Sequence, residues 1–472
     1  MSNQPHSNSD LTNDAGRLFD RRALLRIGGA GMLGLNARSL LAAGAENSEP
    51  GKTPRARAKS VVFLYQFGGP SHLETFDMKP DAPDGIRGEY KPIKSSAPGI
   101  EVCEHLPRMA RVMDKVCLVR SVYHEMKNHN SAAYYALTGH APPVDDIRLR
   151  DTPELFPAYG SVVDALSPGE RSVPTFAAFP YVLSDGSITP GQHASFLGKA
   201  HDPLLVTSDP AEPNFRLPEL SLPSGLSVER LENRRELQQL IDRQSRLLET
   251  SPRARGFDAY YDTALSMLAT PKLGQAFDLG REDAKLRDRY GRHTYGQSCL
   301  LARRLVEAGV KFISVYFASG IGGQSTTSGG WDTHGFNNTR MFPIIKSYQL
   351  PRTDETLPTF LEDLDQRGLL DETLVVWFGE FGRTPKINKS ASRDHWPGCY
   401  TVLMAGGGLK RGYVYGASDR YGALPARNPV RPENISATMF HALGIDPHAL
   451  VRDRLDRPIP VAGADPIFDL LA

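Results

Sequence analysis

The chain has 472 residues, which is enough for a large α/β enzyme built around one sheet. Its 55 basic and 54 acidic residues leave a net charge of +1, so the charge balance gives no indication of a nucleic-acid partner. Four cysteines without a CxxC pair argue against a thiolate zinc cluster or a disulfide scaffold.

The N-terminal segment is typical of an export signal. Two arginines at 21–22 precede a Gly- and Leu-rich apolar run, which closes on the small-x-small pattern Ala-Gly-Ala at 43–45. The alternative is an amphipathic helix with a chance arginine pair. No later segment has the ~20 apolar residues of a membrane span. We therefore expect residues 1–45 to be a twin-arginine signal peptide, and the mature protein to be periplasmic or extracellular.

After a polar linker at 46–59, apolar runs alternate with helical patterns over residues 60–472. Apolar runs that stop at glycine or polar residues predict strands at 60–69, 116–122, 173–183, 310–318, 373–382 and 399–408. Periodic apolar residues predict helices at 129–138, 227–249, 257–269, 296–310, 356–370 and 431–445. The strongly charged helix predicted at 227–249 and the second helix at 257–269 indicate a helical insertion over 227–290. Alternating strands and helices predict an α/β fold with a largely parallel central sheet flanked by helices.

Polar side chains follow four of the predicted strands. In open α/β sheets, ligands bind beyond the carboxyl ends of the strands. This rule selects four segments whose side chains can bind metals or anions: Gln66, His72 and Asp77; His124, His129, Asn130 and Ser131; Asp332 and His334; Glu380, Arg383, Asp394 and His395.

Asp332 and His334 form a D-x-H pair at the end of a glycine-rich loop. This spacing puts an oxygen and an imidazole nitrogen within reach of one cation, although Asp332 could instead cap a following helix. Glu380 ends an apolar strand, where a carboxylate is costly unless it is paired or bound to metal. The alternative for Glu380 is a salt bridge to Arg383.

Asp394 and His395 follow the same logic as Glu380, with an exposed loop turn as the alternative. Arg383 is the candidate that would hold an anionic substrate, because a guanidinium matches phosphate or sulfate geometry. A second anion site is the N-terminus of the helix predicted at 129–138, where Asn130 lies. These side chains indicate a metal site beside an anion site.

The ordered segments resemble the alkaline phosphatase-like superfamily of sulfatases, phosphodiesterases and phosphoglycerate mutases. The resemblance is carried by the helix that ends in Leu-Thr-Gly at 137–139, by Glu380 after a late strand with His395 downstream, and by the last helix, PENISATMFHALGID. The segments FGGPSHLETFDMKP, GGWDTHGFNN, FGEFGRTP and RDHWPG more closely resemble a family of exported bacterial proteins, the domain of unknown function 1501.

The superfamily resemblance implies an alkaline phosphatase-like fold and a metal-dependent hydrolase of phosphate or sulfate esters. It implies two divalent ions, zinc, calcium or manganese, that stabilise the attacking and leaving oxygens. The substrate would be a small anionic ester or a sulfated or phosphorylated glycan. The implied metal ligands are Asp332, His334, Glu380 and His395, with Asp394 as a further candidate. Arg383 and Asn130 would hold the anion.

The chain departs from the superfamily at two important positions. The first strand ends in Gln66 where a metal-binding aspartate is usual, so His72 or Asp77 would have to replace that ligand. The superfamily's nucleophile lies ten residues before the glycine of the Thr-Gly pair, and here that residue is His129. Ser131, two residues later, is rotated by about 200° on a helix. His129 is therefore interpreted as a nucleophile, a general base or a ligand.

These departures keep a second class of function open, a non-catalytic exported binding protein that retains the fold and one metal. A lipase or esterase is less consistent with the chain, because no G-x-S-x-G motif is present.

Overall fold

The computed structural model of the chain describes residues 54–215, 217, 230, 271–322, 329–335 and 339–472. All of these belong to one unit, Thr53–Ala472. The expected signal peptide, most of the linker, the helix predicted at 257–269 and, apart from residue 230, the helix predicted at 227–249 lie outside the described residues. Within the described part of the chain, no helix combines the length and apolar character of a membrane span.

The described residues form an eight-stranded central sheet. Its strands in chain order are β1 Ser60–Tyr65, β2 Val116–Val122, β3 Phe176–Phe179, β4 Leu204–Leu205, β5 Phe312–Tyr316, β6 Thr373–Phe378, β7 Tyr400–Gly406 and β8 Tyr413–Tyr415. Their spatial order is β8-β2-β7-β6-β1-β5-β3-β4. Strand β7 runs antiparallel to β2 and β6, and the other pairings in this sheet are parallel. The predicted largely parallel sheet is confirmed.

The helices lie between these strands. They are α1 His129–Thr138, α2 Tyr159–Leu166, α3 Pro271–Phe277, α4 Ala284–Tyr290, α5 Thr294–Ala308, α6 Leu350–Gln366 and α7 Pro432–Ala442. A short helix, Phe342–Ile344, and a π-helical turn, Ile345–Gln349, lead directly into α6. Helix α1 ends as predicted at Gly139, whose φ of 71° is the left-handed conformation that glycine adopts readily.

The described residues also form four short antiparallel strand pairs outside the central sheet. They are Pro92–Lys94 with Glu101–Cys103, Gly382–Arg383 with His395–Trp396, Ala417–Ser418 with Pro425–Arg427, and Leu450–Arg452 with Pro458–Pro460. The second pair matters most for the site, because it joins the segment after β6 to the segment before β7.

The sheet is buried on both faces, as continuous apolar runs in its central strands predict. Side chains of β1 alternate between two apolar clusters. Val62 and Leu64 pack in the cluster that contains α5 and α6, whereas Val61 and Phe63 pack in the cluster that contains α1, α2 and α7. The result is a three-layer α/β arrangement, which is the predicted fold class.

The strand directions determine which loops meet. Strands β1, β2, β5 and β6 are parallel in space, so their carboxyl ends lie at one edge of the sheet. Antiparallel β7 begins at that edge, where Tyr400 pairs with Val122 at the end of β2. The four segments that the sequence singled out therefore converge at this edge.

Candidate metal centre

Asp332, in the segment after β5, is the centre of a buried cluster at this edge. Its Oδ1 lies 3.0 Å from Nη2 of Arg383, 3.1 Å from Nε2 of His395 and 3.6 Å from Nε2 of His129. Its Oδ2 lies 3.1 Å from Nε2 of His334. The side chain of Asp332 is 1% exposed, so three imidazoles and one guanidinium surround a carboxylate that is withdrawn from water.

Glu380, two residues after β6, lies behind His129. Its Oε1 accepts hydrogen bonds from Nδ1 of His129 and from the main-chain N–H of Gly68, both at 2.8 Å. Its Oε2 accepts a hydrogen bond of 3.0 Å from the hydroxyl of Tyr65. Because Nδ1 of His129 donates to this carboxylate, a neutral His129 would present an unprotonated Nε2 towards Asp332.

The surroundings of the Nε2 atom of His129 indicate a metal site. This atom is buried and has no hydrogen-bond partner among the described residues. His129, Asp332 and His395 each offer one ligand atom, and these atoms all lie within 4.8 Å of one another. Two imidazole nitrogens and a carboxylate oxygen suit a transition-metal ion such as zinc or manganese. Glu380 lies behind His129, and a carboxylate in this position commonly supports a histidine that binds a metal.

Protonation of the cluster follows from burial and from charge. Burial lowers the pKa of His129, but interactions with the carboxylates of Asp332 and Glu380 outweigh it and raise the pKa to about 9. Burial opposes ionisation of Asp332, yet interactions with His129, His334 and His395 hold its pKa well below the usual range. Burial lowers the pKa of His395. In the metal-free protein, His129 is therefore protonated at neutral pH, and this proton must leave before a metal can bind Nε2.

Glycine at position 68 brings the first and third segments together. Gly68 has a φ of 105°, and a Cβ there would overlap the main-chain nitrogen of Asp332. The neighbouring Trp331 donates its main-chain N–H to the carbonyl of Phe67 at 2.7 Å. This close backbone approach places the N–H of Gly68 on Glu380 and fixes Asp332 beside it.

Arg383 has a different role from the predicted anion clamp. Its guanidinium is 0% exposed, and it donates to the carbonyls of Gly68, Gly69 and Trp331 as well as to Asp332. It thus ties three segments together and has little donor capacity left for a substrate. The alternative salt bridge to Glu380 is also replaced, because the acidic partner of Arg383 is Asp332.

Asn130 and Ser131 serve the loop that follows α1. The amide nitrogen of Asn130 donates to the carbonyls of Ile147 and Asp185, at 2.7 and 3.3 Å. The hydroxyl of Ser131 accepts from the main-chain N–H of Asp146 at 2.8 Å and donates to its carbonyl at 3.0 Å. Both side chains are thus bonded to the loop after α1.

Four further candidates are held outside the cluster by other partners. Gln66 donates to Tyr295 and accepts from the indole N–H of Trp331. Nε2 of His72 contacts the carbonyl of Gly422 at 2.8 Å, and Asp77 binds Lys79 and Ser418. Asp394 is exposed and accepts from the side-chain amide of Asn388 at 2.9 Å. The structure therefore assembles His129, Asp332, His334, Glu380, Arg383 and His395 and leaves these four aside.

Two further residues support the cluster: Tyr65, which the motifs did not identify, and His124, which was named among the polar residues after β2. Tyr65 ends β1 opposite Phe378, which places its hydroxyl on Glu380. Nε2 of His124 lies 2.6 Å from the main-chain carbonyl oxygen of Glu380, and burial lowers the pKa of His124 to about 4. The strand pairing could have indicated Tyr65, but the sequence alone does not give the register.

A family model described as "Protein of unknown function (DUF1501)" matches residues 58–471. No curated protein matches the chain in sequence.

Several solved structures are similar. The PsFucS1 sulfatase from Pseudoalteromonas sp. has a TM-score of 0.42 and 12% identity, over 96% of this chain and 76% of that one. The lipoteichoic acid synthase LtaP from Listeria monocytogenes has a TM-score of 0.37 and 10% identity, over 85% and 76%. The phosphonate monoester hydrolase SpPMH from Silicibacter pomeroyi has a TM-score of 0.31 and 11% identity, over 83% and 74%. Similarity at this level does not indicate which substrate this chain binds.

Proposed function

We propose that this chain, which belongs to the DUF1501 family of proteins of unknown function, is a metal-dependent hydrolase of phosphate or sulfate esters that acts outside the cytoplasm. The metal rests on one observation: Nε2 of His129 is buried, has no hydrogen-bond partner in the described part of the chain, and lies within reach of Asp332 and His395. The ester class rests on the sequence resemblance to the alkaline phosphatase-like superfamily, and the location rests on the twin-arginine pattern.

The residues that would hold the ion are His129, Asp332 and His395. A divalent ion there supplies Lewis-acid chemistry, which polarises a phosphoryl or sulfuryl oxygen. Glu380 orients the His129 ring through the 2.8 Å contact to Nδ1, and Arg383 balances the charge of Asp332 at 3.0 Å. Because the described residues supply one such three-member group, we infer one ion at this centre.

Metal content of the purified mature protein tests the centre. We expect about one divalent ion per chain in the wild type, and loss of this ion in Asp332→Asn and His395→Ala. Asp394→Asn is the matched control, because Asp394 precedes His395 but is exposed and bonded to Asn388. Wild-type protein without stoichiometric metal after reconstitution with zinc or manganese, or equal loss in Asp394→Asn, would contradict the assignment.

Hydrolysis is tested with a panel of aryl phosphates and aryl sulfates. We expect turnover that a chelator abolishes, that added metal restores and that Asp332→Asn lacks. Turnover that survives both the chelator and Asp332→Asn would exclude metal-dependent hydrolysis at this centre.

A second candidate is an exported binding protein that keeps the metal without turnover. The observation that favours it is the engagement of both predicted anion-holding side chains, Arg383 and Asn130, in bonds within the protein. Stoichiometric metal together with no turnover above the level of Asp332→Asn across the panel would select this function.

A further inference from the structure

A cavity of about 350 Å³ lies beside the metal centre, at the carboxyl ends of β3 and β5. Tyr181, Tyr295, Phe317 and Tyr348 supply aromatic walls, and Arg352 and Asp209 supply charged groups. This volume lies within the range of about 300–1,000 Å³ for small-molecule sites. Aromatic faces with charged hydrogen-bonding groups suit a ligand that is itself part ring and part polar.

Arg352 is a cation of this lining that forms no salt bridge within the described residues. Its guanidinium carbon lies 5.5 Å from the ring centroid of Tyr348. Arg292 differs, because its Nε binds Asp288 at 2.6 Å. His293 contributes no charge at neutral pH, since burial, followed by the nearby charge of Arg352, lowers its pKa to about 3.

The acidic groups of the lining suit hydroxyl donors. Asp209 accepts a 2.7 Å hydrogen bond from the hydroxyl of Thr294 through Oδ2 and a 2.8 Å bond from the N–H of Ala211 through Oδ1. Its oxygens retain lone pairs that ring hydroxyls can use. Glu212, which also lines the cavity, is exposed. The guanidinium of Arg352 and the carboxylates of Asp209 and Glu212 therefore offer a ligand both donors and acceptors.

The cavity wall is continuous with the support of the metal centre. The hydroxyl of Tyr295 accepts from Gln66 at 3.3 Å, and Gln66 in turn accepts from the indole N–H of Trp331 at 3.2 Å. The rings of Phe317 and Trp331 lie 5.8 Å apart. Trp331 directly precedes Asp332, so these contacts connect the cavity wall to the segment that carries Asp332.

We propose that this cavity binds a hydroxylated ring that carries a carboxylate group, with Arg352 on the carboxylate, Tyr348 under the ring and Asp209 on its hydroxyls. This inference rests on the proposed function, because the ring would be a non-reacting part of the same substrate. The site is defined by residues that lie apart from the metal ligands, so its binding can be measured independently.

Calorimetric titration of the full mature protein with glucuronate, glucose and cyclohexanecarboxylate tests the proposal. The two comparison compounds lack the carboxylate and the hydroxyls respectively. We expect glucuronate to bind at least about tenfold more tightly than either, which corresponds to about 1.4 kcal/mol. Glucuronate that binds no better than glucose would overturn the role of Arg352, and cyclohexanecarboxylate that binds equally well would overturn the role of the hydroxyls.

Variants connect this preference to the cavity. Arg352→Gln should reduce glucuronate affinity to the level of glucose, whereas Arg352→Lys should keep part of the preference. Arg420→Gln is the matched control, because Arg420 lies 4.5 Å from the ring centroid of Tyr421 in a similar stacking contact outside the cavity lining. A preference that survives in Arg352→Gln, or that Arg420→Gln abolishes equally, would refute the proposal.

The same titrations in chelator and in Asp332→Asn separate this inference from the proposed function. We expect the glucuronate preference to persist when the metal is removed, since no cavity residue is among its ligands. A preference that disappears with the metal would place the ligand at the metal centre and refute the cavity as its site.

Discussion

Replacing Glu380 with glutamine tests whether this carboxylate strengthens His129 as a metal ligand. In the variant, the amide oxygen can still accept hydrogen bonds from the N–H of Gly68 and from Nδ1 of His129. The hydroxyl of Tyr65, which donates to Oε2 in the wild type, can accept a hydrogen bond from the amide nitrogen. The geometry is therefore kept while the charge is lost. Hydrogen bonds to a charged acceptor are about twice as strong as neutral ones, and loss of such support weakens metal affinity by about 10- to 100-fold.

The measured loss of metal affinity in Glu380→Gln depends on the pH. In the metal-free protein the pKa of His129 is raised to about 9, in part by Glu380, so at pH 7 the metal must displace a proton from this ring. Glu380→Gln lowers that pKa and weakens the competing proton, which offsets part of the loss. We therefore expect Glu380→Gln to reduce metal affinity more at pH 9 than at pH 7.

Competition between the protein and a chromogenic chelator for manganese or zinc, at both pH values, measures this difference. Glu433→Gln is the control, because Glu433 is a partly buried glutamate at the start of α7, outside the metal cluster. Affinities of Glu380→Gln and wild type that agree within about threefold at pH 9 would refute the support by Glu380. A larger loss at pH 7 than at pH 9 would refute the competition between proton and metal.

In chelator, the charged form of His129 should stabilise the fold fully below about pH 6.5, and this contribution of about 3 kcal/mol should be lost as the pH rises through about 9. Urea unfolding of the wild type and of His129→Gln from pH 6 to 10 measures this contribution. Free energies of unfolding that vary with pH in the same way in both proteins would contradict it. Ser131→Ala should leave metal content and hydrolysis unchanged within about twofold while it costs about 1 kcal/mol, because the hydroxyl bonds Asp146; loss of turnover with metal retained would restore Ser131 as the nucleophile. Arg383→Leu should destabilise the metal-free protein by about 3–5 kcal/mol, because it removes the buried guanidinium from Asp332 and from the carbonyls of Gly69 and Trp331; a loss below about 1 kcal/mol in chemical denaturation would argue against that ion pair.

The central strands could be predicted because strands that are buried on both faces consist almost entirely of apolar residues. Every residue of β1 and β6 is buried, and such strands read as unbroken apolar runs. The edge strands β4 and β8 were not predicted, since they have two and three residues and are half-exposed or exposed. Helix α2 was also missed, because its eight residues are too few for the apolar spacing to stand out.

The location of the site was predictable from strand polarity, but the facing of individual side chains was not. His395 and Asp394 are adjacent, yet His395 pairs with Arg383 in a two-residue ladder and reaches Asp332, whereas Asp394 is exposed. Successive side chains of a strand point to opposite faces. A change of register by one residue would exchange them, and that register depends on contacts distant in sequence.

Short separation in sequence was also misleading about ion pairs. Glu380 and Arg383 are three residues apart and were natural partners. Tyr65 and Gly68, more than 300 residues earlier in the chain, instead satisfy Glu380, and Arg383 turns to Asp332. The competing partners come from β1 and its loop, so the exchange depends on the parallel pairing of β1 with β6.

The geometry also constrains how His129 can take part in hydrolysis. Its Nδ1 is bound to Glu380 at 2.8 Å, and its Nε2 is the atom that faces Asp332 and His395. If Nε2 binds the metal, no ring nitrogen remains to attack an ester. Ser131 is bonded to Asp146, so the two candidate nucleophiles are both occupied. The proposed hydrolysis would then transfer the phosphoryl or sulfuryl group directly to water. Rapid-mixing experiments should therefore show no burst of the leaving group. A burst equal to one leaving group per chain would indicate a covalent intermediate on a side chain, and would require either His129 to leave the metal or Ser131 to leave Asp146.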